Sequence, residues 1–319
     1  MVQEVLIVTR VLGVVLDFQQ TVASSVVISG IGLHTGVKVS VRLCPAPANT
    51  GIIFKRIDLE GFRIEASSRH IARVSYATSL MKKGVLISTT EHLLSALAGL
   101  RLDNVMVEID NLELPILDGS ARPFVEALAK AGVRRQRARR MHVKVLKTVE
   151  IAEGGKRIAV HPSETLRMTY RINFPHPLIG QQELEFTPGV DDYAREIAPA
   201  RTFGFIEEVE MLRRSGLIRG GSLENAVVLT REGVLNPAGL RFPNEFCRHK
   251  MLDLIGDLAL LGRPLIGQVI AERAGHALHA QLVSQLLRQK DAWTLVSEAE
   301  SPSKALEPRA AELAASGVS

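Results

Sequence analysis

Three observations predict an α+β fold for this chain of 319 residues. Strand-like segments come first and helices after, and the same order recurs in the second half. The motifs of wound nucleotide-binding sheets are missing: there is neither a GxGxxG placed after a strand nor a GxxxxGK[ST]. Sheet and helices are therefore expected in separate layers.

In the first half, residues 25–31 and 37–43 alternate apolar and polar around the glycine-punctuated turn GIGLHTG (30–36), as paired strands do. Residues 51–56 and 63–65 continue that texture. Ser88 and Glu91 have capping-box spacing, which predicts a helix opening there and running through Leu100. Residues 103–109 read as a strand and 120–131 as a helix ending near Gly132, and the basic run 134–140 reads as a linker. In the second half, strands are expected at 142–151, 157–161, 168–174 and 183–186. Helices follow at 206–215 and 245–261, with strands at 226–230 and 267–272 and a last helix from near His276.

Composition narrows the class. Hydrophobic residues make up 46% and charged residues 23%, ordinary values for a globular protein, and only 4% are aromatic, so Val, Leu, Ile and Ala must build the core. A net charge of +5 favours an anionic substrate or surface. Nucleic-acid binding through the 134–140 run is the rival reading, but no aromatic residues interleave with its arginines, and no nucleic-acid partner is expected. Cys44 and Cys247 form no CxxC pair, which points to a reducing, cytoplasmic setting and away from a thiolate metal site. No apolar run reaches the ~18 residues that span a bilayer, so membrane contact is at most peripheral. The apolar residues 1–16 lack a basic n-region, Glu4 coming first and Arg10 interrupting; they read as an extension and not as a signal peptide. From Glu300 the chain reads as a frayed helix or tail.

The chemistry concentrates at residues 246–257. His249, Asp253 and Asp257 recur every four residues on one helical face, so an imidazole and a carboxylate can reach a common point. That spacing suits a metal site, since carboxylates in a Leu/Met/Ile context need compensation. A solvated face carrying i, i+4 charge pairs has the same spacing. His92 at a helix start would complete three ligands and leave a position for water, although a surface histidine reads the same way. Glu91 beside it is placed as a base for an activated water. His276 opens a later helix and can donate a proton or stabilise an oxyanion, with Asp257 to hold it protonated.

Six segments occur in order: GIGLHTG (30–36), TTEHLLSALAGL (89–100), DNVMVEIDNLELPILDGSARPFVEAL (103–128), RTFGF (201–205), GLRFPNEFCRHKMLDLIGDLALLG (239–262) and GHAL (275–278). Together they resemble the UDP-3-O-acyl-N-acetylglucosamine deacetylases of Gram-negative bacteria, over about residues 20–287. The resemblance implies a zinc-dependent amidase, with ferrous iron as the alternative metal. Its substrate would be the UDP-linked acylated glucosamine of lipid A synthesis. The family's metal ligands fall on His92, His249 and Asp253, its base on Glu91, its acid or oxyanion-stabilising histidine on His276 and that histidine's partner on Asp257. Thr202 matches a residue that helps hold the tetrahedral intermediate, and Lys250, Phe203 and Phe174 match substrate contacts. The implied fold is two similar α+β domains, each a β-sheet layered on α-helices, with the active site between the helix layers. The expected division is an extension (1–19), a first domain (20–138), a second domain with a hydrophobic-passage insert (139–299) and a tail (300–319). A monomer is expected.

Three residues stand outside the pattern. Cys247, at i−2 from His249, points away from it and is expected to be a buried neutral thiol. His279, one turn after His276, is placed either to perturb it or to be solvated. His34 in the glycine turn lies at most near the substrate. A zinc peptidase would need an HExxH helix, and none is present.

Overall fold

The computed structural model describes residues 15–299; residues 1–14 of the expected extension and the tail 300–319 lie outside the described residues. Two five-stranded sheets form the frame. The first has the order Val26–Ile31, Lys38–Pro45, Val105–Ile109, Ile52–Arg56, Phe62–Glu65. The second has the order Val149–Glu153, Lys156–His161, Gln268–Glu272, Arg167–Phe174, Gly180–Phe186. In each, the late strand enters the centre, antiparallel to its second neighbour and parallel to its fourth. The two halves are thus built on one topology, as an α+β repeat requires. Alternation decides which face is buried: Val39, Val41 and Leu43 turn inward from one strand, and Val105, Val107 and Ile109 from its neighbour.

The helices are α1 (Glu91–Gly99), α2 (Arg122–Ala131), the short α3 (Tyr193–Glu196), α4 (Ile206–Arg214), α5 (Glu245–Leu258) and α6 (His276–Arg288). Helix α2 packs on the first sheet and on α1, while α5 and α6 pack on the second sheet and on each other. Helices α1 and α5 meet face to face, so the order of layers is sheet, helices, helices, sheet. Their faces explain this: from Glu91 to Leu97 every residue of α1 is buried, and α5 buries all but Arg248 and Lys250. A helix buried on nearly every side belongs in the middle of a protein.

The two helices come close at Gly256. A Cβ there would stand 2.1 Å from the backbone carbonyl oxygen of Glu91, a contact that only glycine avoids.

Several local expectations change. Ser88 does not cap α1: its hydroxyl meets that of Ser79 at 3.0 Å, and Thr90 occupies the N-cap position without a side-chain cap bond. Glu91 does not reach back toward Ser88, because its carboxylate accepts the Thr78 N–H at 3.0 Å and faces inward. The 134–140 run is not a linker. Val133–Arg139 is a strand paired with Phe18–Val22, its arginines largely turned to solvent and Arg135 lying over the Phe18 ring at 4.0 Å. Phe18 and Gln19, within the expected extension, are therefore sheet residues. The single strand expected at 142–151 is two strands in two sheets, because Leu146 turns its N–H to the carbonyl of Ala292. Two short sheets were not expected at all: Ile71–Arg73, Ser79–Lys82 and Val85–Ile87 form one, and Trp293–Val296 joins His142–Val145 and Leu265–Ile266 in the other.

Replacing Gly256 with alanine tests the helix contact. Gly256→Ala should destabilise the fold by about 1–3 kcal/mol, the usual cost of overpacking a core. Chemical denaturation measures it, and an unchanged midpoint would show that α1 and α5 can separate freely.

Candidate metal centre and catalytic cleft

The contact of α1 with α5 brings Glu91 and His92 from one half against His249, Asp253 and Asp257 from the other. His249 Nε2 lies 3.4 Å from Asp253 Oδ1, and His92 Nε2 lies 3.8 Å from the same oxygen. The two imidazoles meet edge to face, with ring centres 5.0 Å apart. All three side chains are buried, and their ligand atoms lie within 4.8 Å of one another. Ligands on a common tetrahedral ion with bonds of about 2.0–2.1 Å stand roughly 3.4 Å apart, so the group needs little adjustment. His249 donates from Nδ1 to the carbonyl of Ala200 at 3.1 Å, which leaves Nε2 as a bare lone pair toward the cluster. Burial pushes His92 down to about 3 and lowers His249, so both imidazoles are neutral, as a ligand must be. Two nitrogens and one carboxylate fit zinc or ferrous iron.

The charges around this group are arranged, not scattered. Asp253 accepts from Lys250 Nζ at 2.9 Å; although burial opposes its charge, His249 and Lys250 hold it well below the usual carboxylate range. Glu91 has a single donor in the Thr78 N–H, and burial pushes it up to about 7 against the pull of His276. Asp257 goes the other way. Burial works against its charge, yet His276 and His279 bring it down to about 2. His276 Nδ1 donates to Asp257 at 2.7 Å; burial alone would lower His276, but Asp257 and Asp253 raise it to about 9. Asp257, His276 and His279 also have ligand atoms close together. Their hydrogen bonds to one another already use those atoms.

These groups open onto one cavity of about 370 Å³, lined among others by Glu91, His92, Thr202, Phe203, His249, Lys250, Asp253 and His276. Nine of the ten sequence-derived site residues are thus in or directly behind one cleft, Asp257 being the one behind. Phe174 sits one ring further away, its centroid 5.8 Å from Phe203 and 6.0 Å from Phe205. Cys247 is buried on the opposite side of α5, its Sγ 3.3 Å from the Tyr170 carbonyl, and burial pushes its thiol up to about 12. It is no ligand. His34 is held near the cleft through its backbone: Glu113 accepts the N–H groups of His34 and Thr35, both at 2.8 Å. Gly32 makes room for that carboxylate, since a Cβ there would meet Glu113 Oε2 at 2.4 Å.

The profile of the UDP-3-O-acyl N-acetylglycosamine deacetylase family matches residues 19–288. The chain belongs to this deacetylase family. It is 54% identical over 280 residues to the UDP-3-O-acyl-N-acetylglucosamine deacetylase of Solibacter usitatus, covering 88% of this chain and 95% of that one. The deacetylase of Myxococcus xanthus is 44% identical over 279 residues (87% and 89% covered), and that of Geobacter sp. strain M21 is 45% identical over 282 residues (88% and 92% covered). Membership agrees with a metal-dependent hydrolase site at the α1–α5 contact.

Four residues around this cleft are given no role by the sequence, although Glu113, Arg201 and Glu245 lie within the segments that carry the family resemblance. Thr78 reaches both Glu91 and Asp257, the latter with its hydroxyl at 2.6 Å. Glu113 orders the glycine turn. Arg201 and Glu245 form a buried pair with Nε–Oε1 at 2.8 Å, and Glu245 also accepts the N–H groups of Arg201 and Arg241. Each has a partner at least 40 residues away besides the nearer Thr78–Glu91, Glu113–Thr89 and Glu245–Arg241 links, so local spacing carries no signal of the distant contact. RTFGF, already singled out, was the one pointer to Arg201.

His92→Ala should lose most of its bound metal and with it the activity, as metal analysis beside an acetate-release assay would read. Full occupancy and activity in that variant would rule out the three-ligand site.

Proposed function

We propose that this chain hydrolyses the N-acetyl group of UDP-3-O-(3-hydroxyacyl)-N-acetylglucosamine, giving the free amine and acetate, the committed step of lipid A biosynthesis. The observation that carries the reading is the convergence of Glu91, His92, His249, Asp253 and His276 on one cavity in a chain of this family. His92, His249 and Asp253 would hold the metal, zinc by the donor set with ferrous iron as the alternative. When bound, the metal polarises the amide carbonyl and acidifies water.

The protein's own groups do the rest. Glu91, inward-facing and beside a ligand, takes the proton from the attacking water. Thr202 and the protonated His276 stabilise the oxyanion of the tetrahedral intermediate. His276 then delivers a proton to the departing glucosamine nitrogen, and Asp257 keeps it oriented and charged. Lys250, with its ammonium 5.7 Å from the Phe203 ring centre, and Phe203 itself contact the substrate at the cavity wall. All these residues come from one chain, so the site is complete in a monomer. A cytoplasmic setting suits a nucleotide-sugar substrate and two free thiols. Among the described residues no helix is long and apolar enough to cross a membrane.

The acyl chain has a place to go. Ile206, Val209 and Leu212 lie along one face of α4 at helical spacing, and no residue of α4 is buried. A stripe that belonged to the core would be covered. Beside it stand Phe174, Phe203 and Phe205, leading away from the cleft. We assign this wall to the 3-hydroxyacyl chain, with Phe174 contacting its distal part.

The wild-type protein should release acetate from the UDP-sugar and leave a peptide panel intact, and Glu91→Gln should keep its metal while kcat falls by about 10²–10⁴-fold. Cleavage of the peptides instead, or full turnover by Glu91→Gln, would overturn this reading. Shortening the acyl chain should raise KM by up to roughly fourfold per methylene removed, following ~0.8 kcal/mol per buried CH₂. A KM equal for long-chain and acetyl substrates would remove the passage.

A further inference from the structure

We propose that Thr78 and His279 are positioning residues for the reaction, holding the Asp257 carboxylate and, through it, the His276 imidazole. The proposal rests on the deacetylase reading above, in which His276 faces the substrate. Neither residue lies on the cavity side of His276, and both are buried, as is Asp257.

Asp257 is a hub with three donors. Thr78 Oγ1 donates to Oδ1 at 2.6 Å, while His276 Nδ1 and His279 Nδ1 both donate to Oδ2, at 2.7 and 2.8 Å. A carboxylate with one partner can rotate about its terminal bond. One held on both oxygens, from a loop and from two turns of α6, cannot. His276 is the first residue of α6, and its imidazole owes its orientation to this carboxylate and to the Thr78 hydroxyl 3.2 Å away. His279, three residues on, shares its helical face. Its Nε2 lies 3.2 Å from the Tyr170 hydroxyl, which is also 2.9 Å from the Ala274 carbonyl just before α6. The chain Tyr170–His279–Asp257–His276 therefore ties the second sheet to the group that faces the cavity. Thr78 adds a link across the halves, since its N–H also orients Glu91. One loop residue thus touches both carboxylates that flank the reacting centre.

A core polar network with no bearing on turnover would have the same bonds, so the test must separate the two. Thr78→Val, His279→Leu and His279→Asn are measured for kcat, KM and bound metal, each alone and in a His276→Ala background. Thr78→Val removes the hydroxyl and keeps the N–H to Glu91; His279→Asn keeps a side-chain donor toward Asp257. Thr78→Val and His279→Leu should lower kcat about ten- to a hundredfold, in the range of groups that orient active-site ligands, with KM and metal content unchanged. His279→Asn should recover most of the loss. Behind His276→Ala, neither Thr78→Val nor His279→Leu should cost anything more, as expected of residues acting in series.

An unchanged kcat in either single variant overturns the proposal. So does an equal further loss in the His276→Ala background, which marks a general structural role, and so does a loss that follows the metal content. Full turnover by His276→Ala alone overturns the role of His276 itself and the proposal with it. That result is distinct from an inert His279→Leu beside a disabled His276→Ala, which overturns only the positioning claim.

Discussion

The approach of α5 to the first turn of α1 is the constraint on which the rest of this structure depends. The backbone of Gly256 passes so close to the carbonyl of Glu91 that a methyl group would not fit. Because the helices meet there, the side chains one turn back along α5 face those at the start of α1. Neither half alone holds the cluster: α1 contributes Glu91 and His92, and α5 contributes His249, Asp253 and Asp257. The repeated sheet topology makes this arrangement natural, since two sheets with one strand order present two helix layers that can pack against each other.

Burying three carboxylates in such a contact is unfavourable unless each is compensated, and each is compensated differently. Asp253 faces two imidazoles and Lys250. Asp257 accepts three hydrogen bonds and is held anionic. Glu91 has one backbone donor, so burial dominates and its proton affinity rises. Two carboxylates close in space are thereby driven in opposite directions, one toward holding a proton and the other toward staying anionic. The difference lies in the neighbours and not in the residue type: Asp257 meets His276 and His279, while Glu91 stands beside Asp253 and Asp257.

Much of this was legible in the sequence where the signal was local. The four-residue spacing of His249, Asp253 and Asp257 marked one face of a helix, and the adjacency of Glu91 and His92 marked a carboxylate beside an imidazole that the fold brings to the same cluster. The order of strands and helices announced the layers. Local rules failed where a distant partner outbid them. The Ser88–Glu91 spacing satisfied a capping rule, but Thr78 claims the Glu91 carboxylate and Ser79 claims the Ser88 hydroxyl. The arginine run looked like a linker because it lies where one half gives way to the other. It pairs with Phe18–Val22 as a surface strand, where the arginines reach water. The roles of Thr78, Glu113 and Tyr170 carry no local pattern, because what defines them is a loop or sheet contact made by the finished fold.

The same logic explains why the cleft and the apolar wall keep a fixed relation. Arg201 and Glu245 form a buried ion pair where the segment leading to Phe203–Phe205 meets the start of α5. A pair of this kind contributes little net stability, but it fixes geometry through many directed bonds. Glu245 accepts from the Arg201 backbone and side chain and from Arg241, so the segment carrying Ala200, Thr202 and Phe203 cannot slide along α5. Ala200 supplies the carbonyl that sets the His249 tautomer. Phe203 packs on Phe246 at 4.9 Å and forms the cavity wall. One anchor therefore sets both the ring nitrogen of His249 that faces Asp253 and the Phe203 ring of the cavity wall. A substrate gripped along its acyl chain would in this way be measured against the reacting centre by the protein's own backbone.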